Sequence, residues 1–123
     1  MARLVIASNR LILPSAADAR AGGLAVAMRE ALRERGGIWF GWSGETEEQP
    51  ADTPRSTTRG RVTYAAVDLT PEEHRLYYLG HANGTLWPLF HFRLGLMEYR
   101  RDAARAYLEV NRRFAKMLAA LIQ

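Results

Sequence analysis

The segment Leu4-Val5-Ile6-Ala7-Ser8-Asn9-Arg10 is followed, after a loop containing Pro14, Ser15 and Asp18, by Ala21-Gly22-Gly23-Leu24 and a helical pattern running to Arg35. Four consecutive apolar residues bounded by polar ones fit a strand, Leu4 to Ser8, buried on both faces as in a parallel sheet. Strand, loop and helix in that order make a βα unit, and paired glycines at the helix start let backbone amides approach an anion. That outline suits a phosphate site; it also suits a tight turn, with Arg10 as a solvated charge. The loop from Asn9 to Ala21 is expected to be irregular, and Pro14 to Ala21 poorly ordered.

Beyond the glycines, Leu24, Met28 and Leu32 share a helical face with Ala27 and Ala31, while Arg29, Glu30, Arg33 and Glu34 face away; Gly36 supplies a left-handed stop. Gly37 to Trp42 reads as a second strand, with Trp39 and Phe40 as core. Trp42 stands at its end beside Ser43-Gly44-Glu45, where a ring can border a pocket. Thr46 to Gly60 is polar, holds Pro50 and Pro54 and has no periodicity, so it reads as a surface loop. Arg61 to Asp68 alternates and reads as a third strand. Only a loop separates it from the second, which opens antiparallel pairing to the two.

Thr70-Pro71-Glu72-Glu73 is a helix start, with Thr70 as N-cap, Pro71 in the first turn and Glu73 completing a capping box. The helix carries His74, Tyr77 and Tyr78 and is expected to end near Gly80. Pro88 is expected to hold Trp87 in an extended conformation. A tryptophan fixed there beside two tyrosines suits the wall of a sugar site, and equally a hydrophobic plug beneath a loop. His74 and His91 lack the spacing and companions of a metal site. Asp102 to Gln123 is expected to be an amphipathic helix whose stripe includes Ala104, Tyr107, Leu108, Asn111, Phe114 and Leu118. A buried Asn111 would need a hydrogen-bond partner.

The 123 residues, 48% of them hydrophobic, suffice for one core. The absence of cysteine excludes disulfides and cysteine metal sites. No apolar run has the length of a membrane span, and the start lacks the length of a signal peptide, so a cytoplasmic protein without a membrane partner is expected. The net charge of +4 is almost all arginine, Lys116 being the only lysine, and acids are interleaved as in Arg33-Glu34-Arg35. That pattern fits solvated helix faces rather than a nucleic-acid surface. The chain closes on Leu118-Ala119-Ala120-Leu121-Ile122-Gln123, where an α/β domain would return a strand to its sheet, so a fragment is expected.

Taken in order, Ser8-Asn9-Arg10, Ala21-Gly22-Gly23-Leu24, Trp39-Phe40-Gly41-Trp42-Ser43-Gly44, Tyr77-Tyr78 and Leu86-Trp87-Pro88 resemble the trehalose-6-phosphate synthases, retaining glycosyltransferases of family 20. The resemblance runs over the whole chain, and only Glu47 to Arg59 looks freely variable. It implies an α/β fold of the GT-B kind, with two Rossmann-like domains facing across a cleft. Residues 1–123 would be the first part of the N-terminal, acceptor-side domain, three or so strands with flanking helices, and the C-terminal nucleotide-sugar domain would be absent. The implied reaction moves glucose from UDP-glucose to glucose 6-phosphate with retention, giving trehalose 6-phosphate and UDP, and uses no cofactor or metal.

Position by position, the resemblance implies that Arg10 binds the phosphate of glucose 6-phosphate, a task suited to a forked, permanently charged donor. Gly22 and Gly23 would meet the UDP-glucose pyrophosphate through backbone amides. Tyr78 and Trp87 would contact the acceptor sugar, and Trp42 would line the same pocket. Attack on the face that the diphosphate leaves asks for stabilisation of the leaving group more than for a paired acid and base. No carboxylate pair here has a spacing that argues for one. No catalytic residue is expected in this chain; the family's His-Asp-Tyr-His segment would lie downstream of Gln123, and the Arg and Lys residues that hold the nucleotide phosphates in the second domain. The 123 residues alone are therefore expected to be inactive and prone to self-association, the whole enzyme being a homo-oligomer. A relative with another acceptor, such as a glucosylglycerol-phosphate synthase or a pseudoglycosyltransferase, and a noncatalytic sugar-phosphate-binding module would use the same residues.

Overall fold

The structure is a computed structural model in which residues 3–13 and 22–123 are described. The expected disorder of Pro14 to Ala21 falls outside those residues. The chain forms two compact units, Met1–Glu45 with Ala51–Asp68, and Thr46–Pro50 with Leu69–Gln123.

The first unit is built on β1 (Leu4–Arg10), α1 (Gly23–Arg35), β2 (Gly37–Thr46), β3 (Arg55–Arg59) and β4 (Val62–Leu69). One sheet runs in the order β1-β2-β4-β3. β1 and β2 are parallel, with Leu4 opposite Gly37 and Ser8 opposite Gly41, as a βα unit requires. β2 and β4 also run side by side in one direction. At their starts the Gly37 N–H donates to the Arg61 carbonyl (3.0 Å), and at their ends the Glu47 N–H donates to the Leu69 carbonyl (2.8 Å). Antiparallel pairing falls instead between β3 and β4, where Arg55 faces Ala66 and Arg59 faces Val62.

β3 lies inside the segment expected to be a surface loop. Periodicity misses it because all five side chains are exposed, and an edge strand can be held by backbone hydrogen bonds alone. Gly60, at φ 61°, opens the two-residue turn into β4. The sheet therefore has four strands, not three or so. At its other edge among the described residues, β1 is only half-buried, with Val5 37% exposed. Enclosure on both faces belongs to the inner strands β2 and β4.

The core of this unit joins Leu11, Ala25, Leu32, Trp39, Val62, Tyr64 and Ala66. Trp39 is fully buried, its ring 6.2 Å from that of Tyr64, and its indole N–H donates to Ser8 Oγ at 2.9 Å. Left unpaired, that donor would cost about 1–3 kcal/mol. α1 buries Leu32 and packs Met28 against the core as expected, but Leu24 stays 74% exposed and Ala25 takes the buried place in the first turn. Gly36, at φ 74°, ends the helix with its N–H on the Leu32 carbonyl.

The second unit begins as expected. In α2 (Pro71–Glu73) the Glu73 N–H donates to Thr70 Oγ1 (3.0 Å) and the Thr70 N–H to Glu73 Oε1 (2.9 Å). The helix does not stop near Gly80. It widens into a π-helical segment, His74–Leu86, and continues as α3 (Trp87–Phe90). Gly80 takes no left-handed conformation; a Cβ there would stand 3.1 Å from that of Ala103, so this glycine serves close packing rather than termination. Trp87 is helical (φ −60°, ψ −51°), against the expected extended form; Pro88 is tolerated in this continuous helix because the Gly84 carbonyl, four residues back, accepts the Glu98 N–H (2.8 Å) in place of the N–H that proline lacks. The chain then passes a 3₁₀ turn, Leu94–Leu96, and enters α4 (Arg101–Ile122).

α4 buries Ala103, Ala106, Val110, Phe114 and Met117. This stripe is rotated from the expected one, and Leu108 is 53% exposed. The Asn111 amide donates to the Tyr107 carbonyl one turn back at 2.8 Å, which meets its need within the helix. Tyr77, fully buried, packs on Tyr107 and Phe114 with ring centroids 5.5 and 6.1 Å away. Arg113 Nη1 lies 2.7 Å from Glu73 Oε2, tying α4 to the capping box.

Candidate functional site

The end of β1 is irregular. Ser8 pairs with Gly41, but Arg10 pairs with Trp42, so Asn9 is one residue too many. Side chains alternate along a strand, and even spacing would put Ser8 and Arg10 on one face. The bulge turns Arg10 to the opposite face, that of Trp42. Gly41 makes this possible: a Cβ there would fall 2.7 Å from the Ser8 carbonyl oxygen and 3.1 Å from the Leu11 nitrogen. Past the bulge the Leu11 N–H donates to the Trp42 carbonyl at 2.8 Å, and buried Leu11 anchors the strand end.

The exposed Arg10 side chain lies over Trp42, with its Cζ 5.6 Å from the ring centroid. Among the described residues its guanidinium has no ion pair and no hydrogen bond. Trp42 is 3% exposed and its indole N–H donates to the Glu45 carbonyl at 2.7 Å. It therefore acts as a floor beneath Arg10 rather than as an open stacking face. Gly44, at φ 90°, closes the arrangement: a Cβ at this position would stand 3.0 Å from Arg10 Nη2 and 3.2 Å from Nε.

A network that sequence reasoning missed fixes this turn. Ser43 Oγ donates to Asp68 Oδ1 at 2.6 Å and accepts from the Glu45 N–H at 3.1 Å. Arg55 on β3 donates to the same Asp68 oxygen at 2.7 Å and lies 3.6 Å from Glu45 Oε2. Ser43 and Gly44 stand within a motif already noted. Arg55 and Asp68 carry no local signal, being 13 residues apart on the two strands of a hairpin whose first strand leaves no mark on the side-chain pattern.

Gly22 is the N-cap of α1 and Gly23 its first residue; among the described residues no side chain caps this end and no acidic residue occupies the first turn. Among the described residues a Cβ on either glycine would meet nothing within 4 Å. Such an end presents free amides at the positive pole of a helix.

Tyr78 and Trp87 both belong to the second unit, and neither stacks on the other. Tyr78 stacks on His74 with ring centroids 5.7 Å apart, and Trp87, 47% exposed, stacks on His91 at 4.1 Å. A hollow of about 270 Å³ in this unit is lined by Glu72, Glu73, Asp102 and Glu109 with Leu76, Arg105 and Ala106; its charge is wrong for a phosphate. Among the described residues no group of His, Asp or Glu is arranged to hold a metal, and no helix is long and apolar enough to cross a membrane.

Residues 7–123 match the model of glycosyltransferase family 20, and the chain belongs to that family. It is 49% identical over 127 residues to the trehalose-6-phosphate synthase of Sinorhizobium fredii, covering all of this chain and 27% of that protein. A UDP-forming alpha,alpha-trehalose-phosphate synthase from Burkholderia xenovorans, solved in complex with glucose-6-phosphate, superposes with a TM-score of 0.86 at 41% identity, over 99% of this chain and 26% of the other. The E. coli protein solved bound with UDP-2-fluoro glucose gives 0.84 at 41% identity, again over 99% and 26%. The chain thus spans about a quarter of the length of the relatives it matches. Its mixed α/β architecture is that of their matching region.

Proposed function

We propose that this chain is the acceptor-side N-terminal part of a UDP-forming trehalose-6-phosphate synthase, which transfers glucose from UDP-glucose to glucose 6-phosphate with retention of configuration. The observation that carries this is Arg10, an exposed guanidinium without a partner among the described residues, turned onto Trp42 by a bulge that Gly41 permits. Its planar fork matches a phosphomonoester. In this assignment Arg10 binds the acceptor phosphate, with Trp42 as its support. Tyr78 and Trp87 contact the acceptor sugar. The amides of Gly22 and Gly23 meet the donor diphosphate, a role supported by the uncapped start of α1 and the open space at both glycines.

These residues bind and orient substrates. None serves as acid, base or nucleophile for the transfer, so this part supplies specificity and the Gly22 and Gly23 amides, while the charged groups that stabilise the leaving diphosphate come from elsewhere in the longer polypeptide. Its substrates are metabolites of the cytoplasm, where the enzyme acts. The exposed Phe90, Phe92, Leu94, Leu96 and Tyr99 support association of copies.

The test measures UDP release from UDP-glucose with glucose 6-phosphate, with glucose and with glycerol 3-phosphate as acceptors. It uses the 123-residue chain and the longer polypeptide that continues it. Release from the longer polypeptide with glucose 6-phosphate alone, and none from the 123 residues, is expected. Preference for glycerol 3-phosphate would replace the acceptor; sugar-phosphate binding without transfer by the longer polypeptide would leave a binding module.

A further inference from the structure

We infer that Ser8 is a positioning residue for the acceptor phosphate: its hydroxyl ties the Arg10 carbonyl to the buried Trp39 indole and so holds the bulge that aims the Arg10 guanidinium. This rests on the assignment of Arg10 to the acceptor phosphate. Ser8 Oγ accepts from the Trp39 indole N–H at 2.9 Å and donates to the Arg10 carbonyl at 2.8 Å. A hydroxyl can do both at once, and a donor that is itself accepting is strengthened. The chain of bonds starts in the core, where Trp39 is fully buried, and ends on the backbone of an exposed residue.

The Arg10 carbonyl and the Leu11 N–H belong to one planar peptide unit and point in opposite directions. Ser8 holds the carbonyl, and the Trp42 carbonyl takes the N–H at 2.8 Å, so the plane is fixed from both sides. Its orientation is what a bulge leaves open, since the extra residue, Asn9, has no place in the β1–β2 register. With the plane fixed, the Arg10 side chain leaves the strand on the Trp42 face, where its Cζ stands 5.6 Å from the ring centroid. The Ser8 side chain lies on the other face with Trp39 and acts on a bound phosphate only through the Arg10 backbone.

The test follows the Arg10 Nε–H resonance of the 123-residue chain by NMR while glucose 6-phosphate or glucose is added. In the unaltered chain the resonance should move with glucose 6-phosphate and stay in place with glucose. Failure there would remove the assignment of Arg10 to the acceptor phosphate, and this inference with it. In Ser8→Ala the resonance should be displaced before any ligand is added, as the guanidinium shifts over the Trp42 ring. The folded variant should bind glucose 6-phosphate about fivefold more weakly, the value of one neutral hydrogen bond. Ser8→Thr keeps the hydroxyl and should restore both. Leu32→Val, which weakens the same core without touching these bonds, should lower the urea midpoint and leave the titration unchanged. Where Ser8→Ala does not fold, Ser8→Cys, a weak donor and weak acceptor of similar size, should show the same displacement and loss at smaller amplitude. The inference fails if the variant at Ser8 lowers the urea midpoint while the Arg10 resonance and the affinity stay as in the unaltered chain, since the hydroxyl then serves the core alone. It fails also if Leu32→Val weakens binding as much, or if Ser8→Thr restores neither.

Discussion

The guanidinium carbon of Arg10 stands 5.6 Å from the centroid of the Trp42 ring, opposite it in the β1–β2 ladder, because one extra residue, Asn9, reverses the facing of the strand end. A cation over an indole face is held in place without losing its hydrogen-bond donors. The Trp42 ring is itself fixed by its bond to the Glu45 carbonyl. Arg10 is thereby restrained and yet available to an anion.

Replacing Arg10 by alanine should weaken glucose 6-phosphate binding roughly tenfold to a hundredfold, the value of charge-assisted hydrogen bonds of about 1.5–3 kcal/mol. Glucose binding should be unaffected. Because the side chain is exposed, the urea midpoint should shift little. Calorimetric titration of both ligands checks this, and equal losses for the two would remove Arg10 from phosphate recognition.

Gly41→Ala should destabilise the fold by about 1–3 kcal/mol, since the new methyl group meets the Ser8 carbonyl oxygen at 2.7 Å in a well-packed site. Relief requires the bulge to open, so phosphate binding should fall along with stability. Urea denaturation followed by tryptophan fluorescence reads the first effect. An unchanged midpoint would show that the β1 end yields without cost.

Phe92 occupies a position that usually belongs to glycine. With φ 55° it follows the end of α3, its N–H bonding the Leu89 carbonyl at 3.2 Å while the Arg93 N–H bonds that of Pro88 at 2.7 Å, a Schellman stop. Its ring is 93% exposed, so no packing in this chain offsets the strained backbone. Phe92→Gly should therefore stabilise the isolated chain by about 1 kcal/mol. It should also reduce self-association, seen as a lower weight-average mass in sedimentation. A lower urea midpoint would contradict the strain.

A buried ring and a half-buried one set opposite limits on pH. Burial, with smaller contributions from Tyr107 and Tyr78, pushes the Tyr77 hydroxyl from 10.0 up to about 12. The fold favours its neutral form, so the stability tied to it is complete below pH 10 and is lost as the pH rises toward 12. Tyr77→Phe should flatten the alkaline limb of a stability profile. For His81 burial lowers the pKa below 6.5, and its Nδ1 is enclosed without a partner among the described residues. The unfolded chain then takes up the proton more readily, and stability should fall as the pH drops below 6.5. His81→Phe should remove that acidic loss, as read from urea midpoints between pH 5 and 8 in steps of about half a unit.

Much of this was legible along the chain because it depends on neighbours in sequence. The capping box at Thr70 and Glu73, the stop at Gly36 and the burial of Trp39 and Phe40 follow from local chemistry and hydrophobicity. The continuation through Gly80 was hidden because a glycine packed against Ala103 is indistinguishable in sequence from a glycine that ends a helix. β3 was hidden because Arg55 to Arg59 are exposed, and backbone pairing leaves no mark on side-chain pattern. The π-helical widening of His74–Leu86 has no sequence signal that we can name.

By itself the sequence determined the βα unit, the candidate residues Arg10, Trp42, Gly22, Gly23, Tyr78 and Trp87, and the family, since these rest on residue identity and order. Tertiary structure alone decided which face Arg10 takes, that Trp42 lies beneath it, and that Arg55 reaches Asp68 and Glu45. The physical reason is that facing depends on register, and a bulge of one residue shows only when two strands are laid side by side.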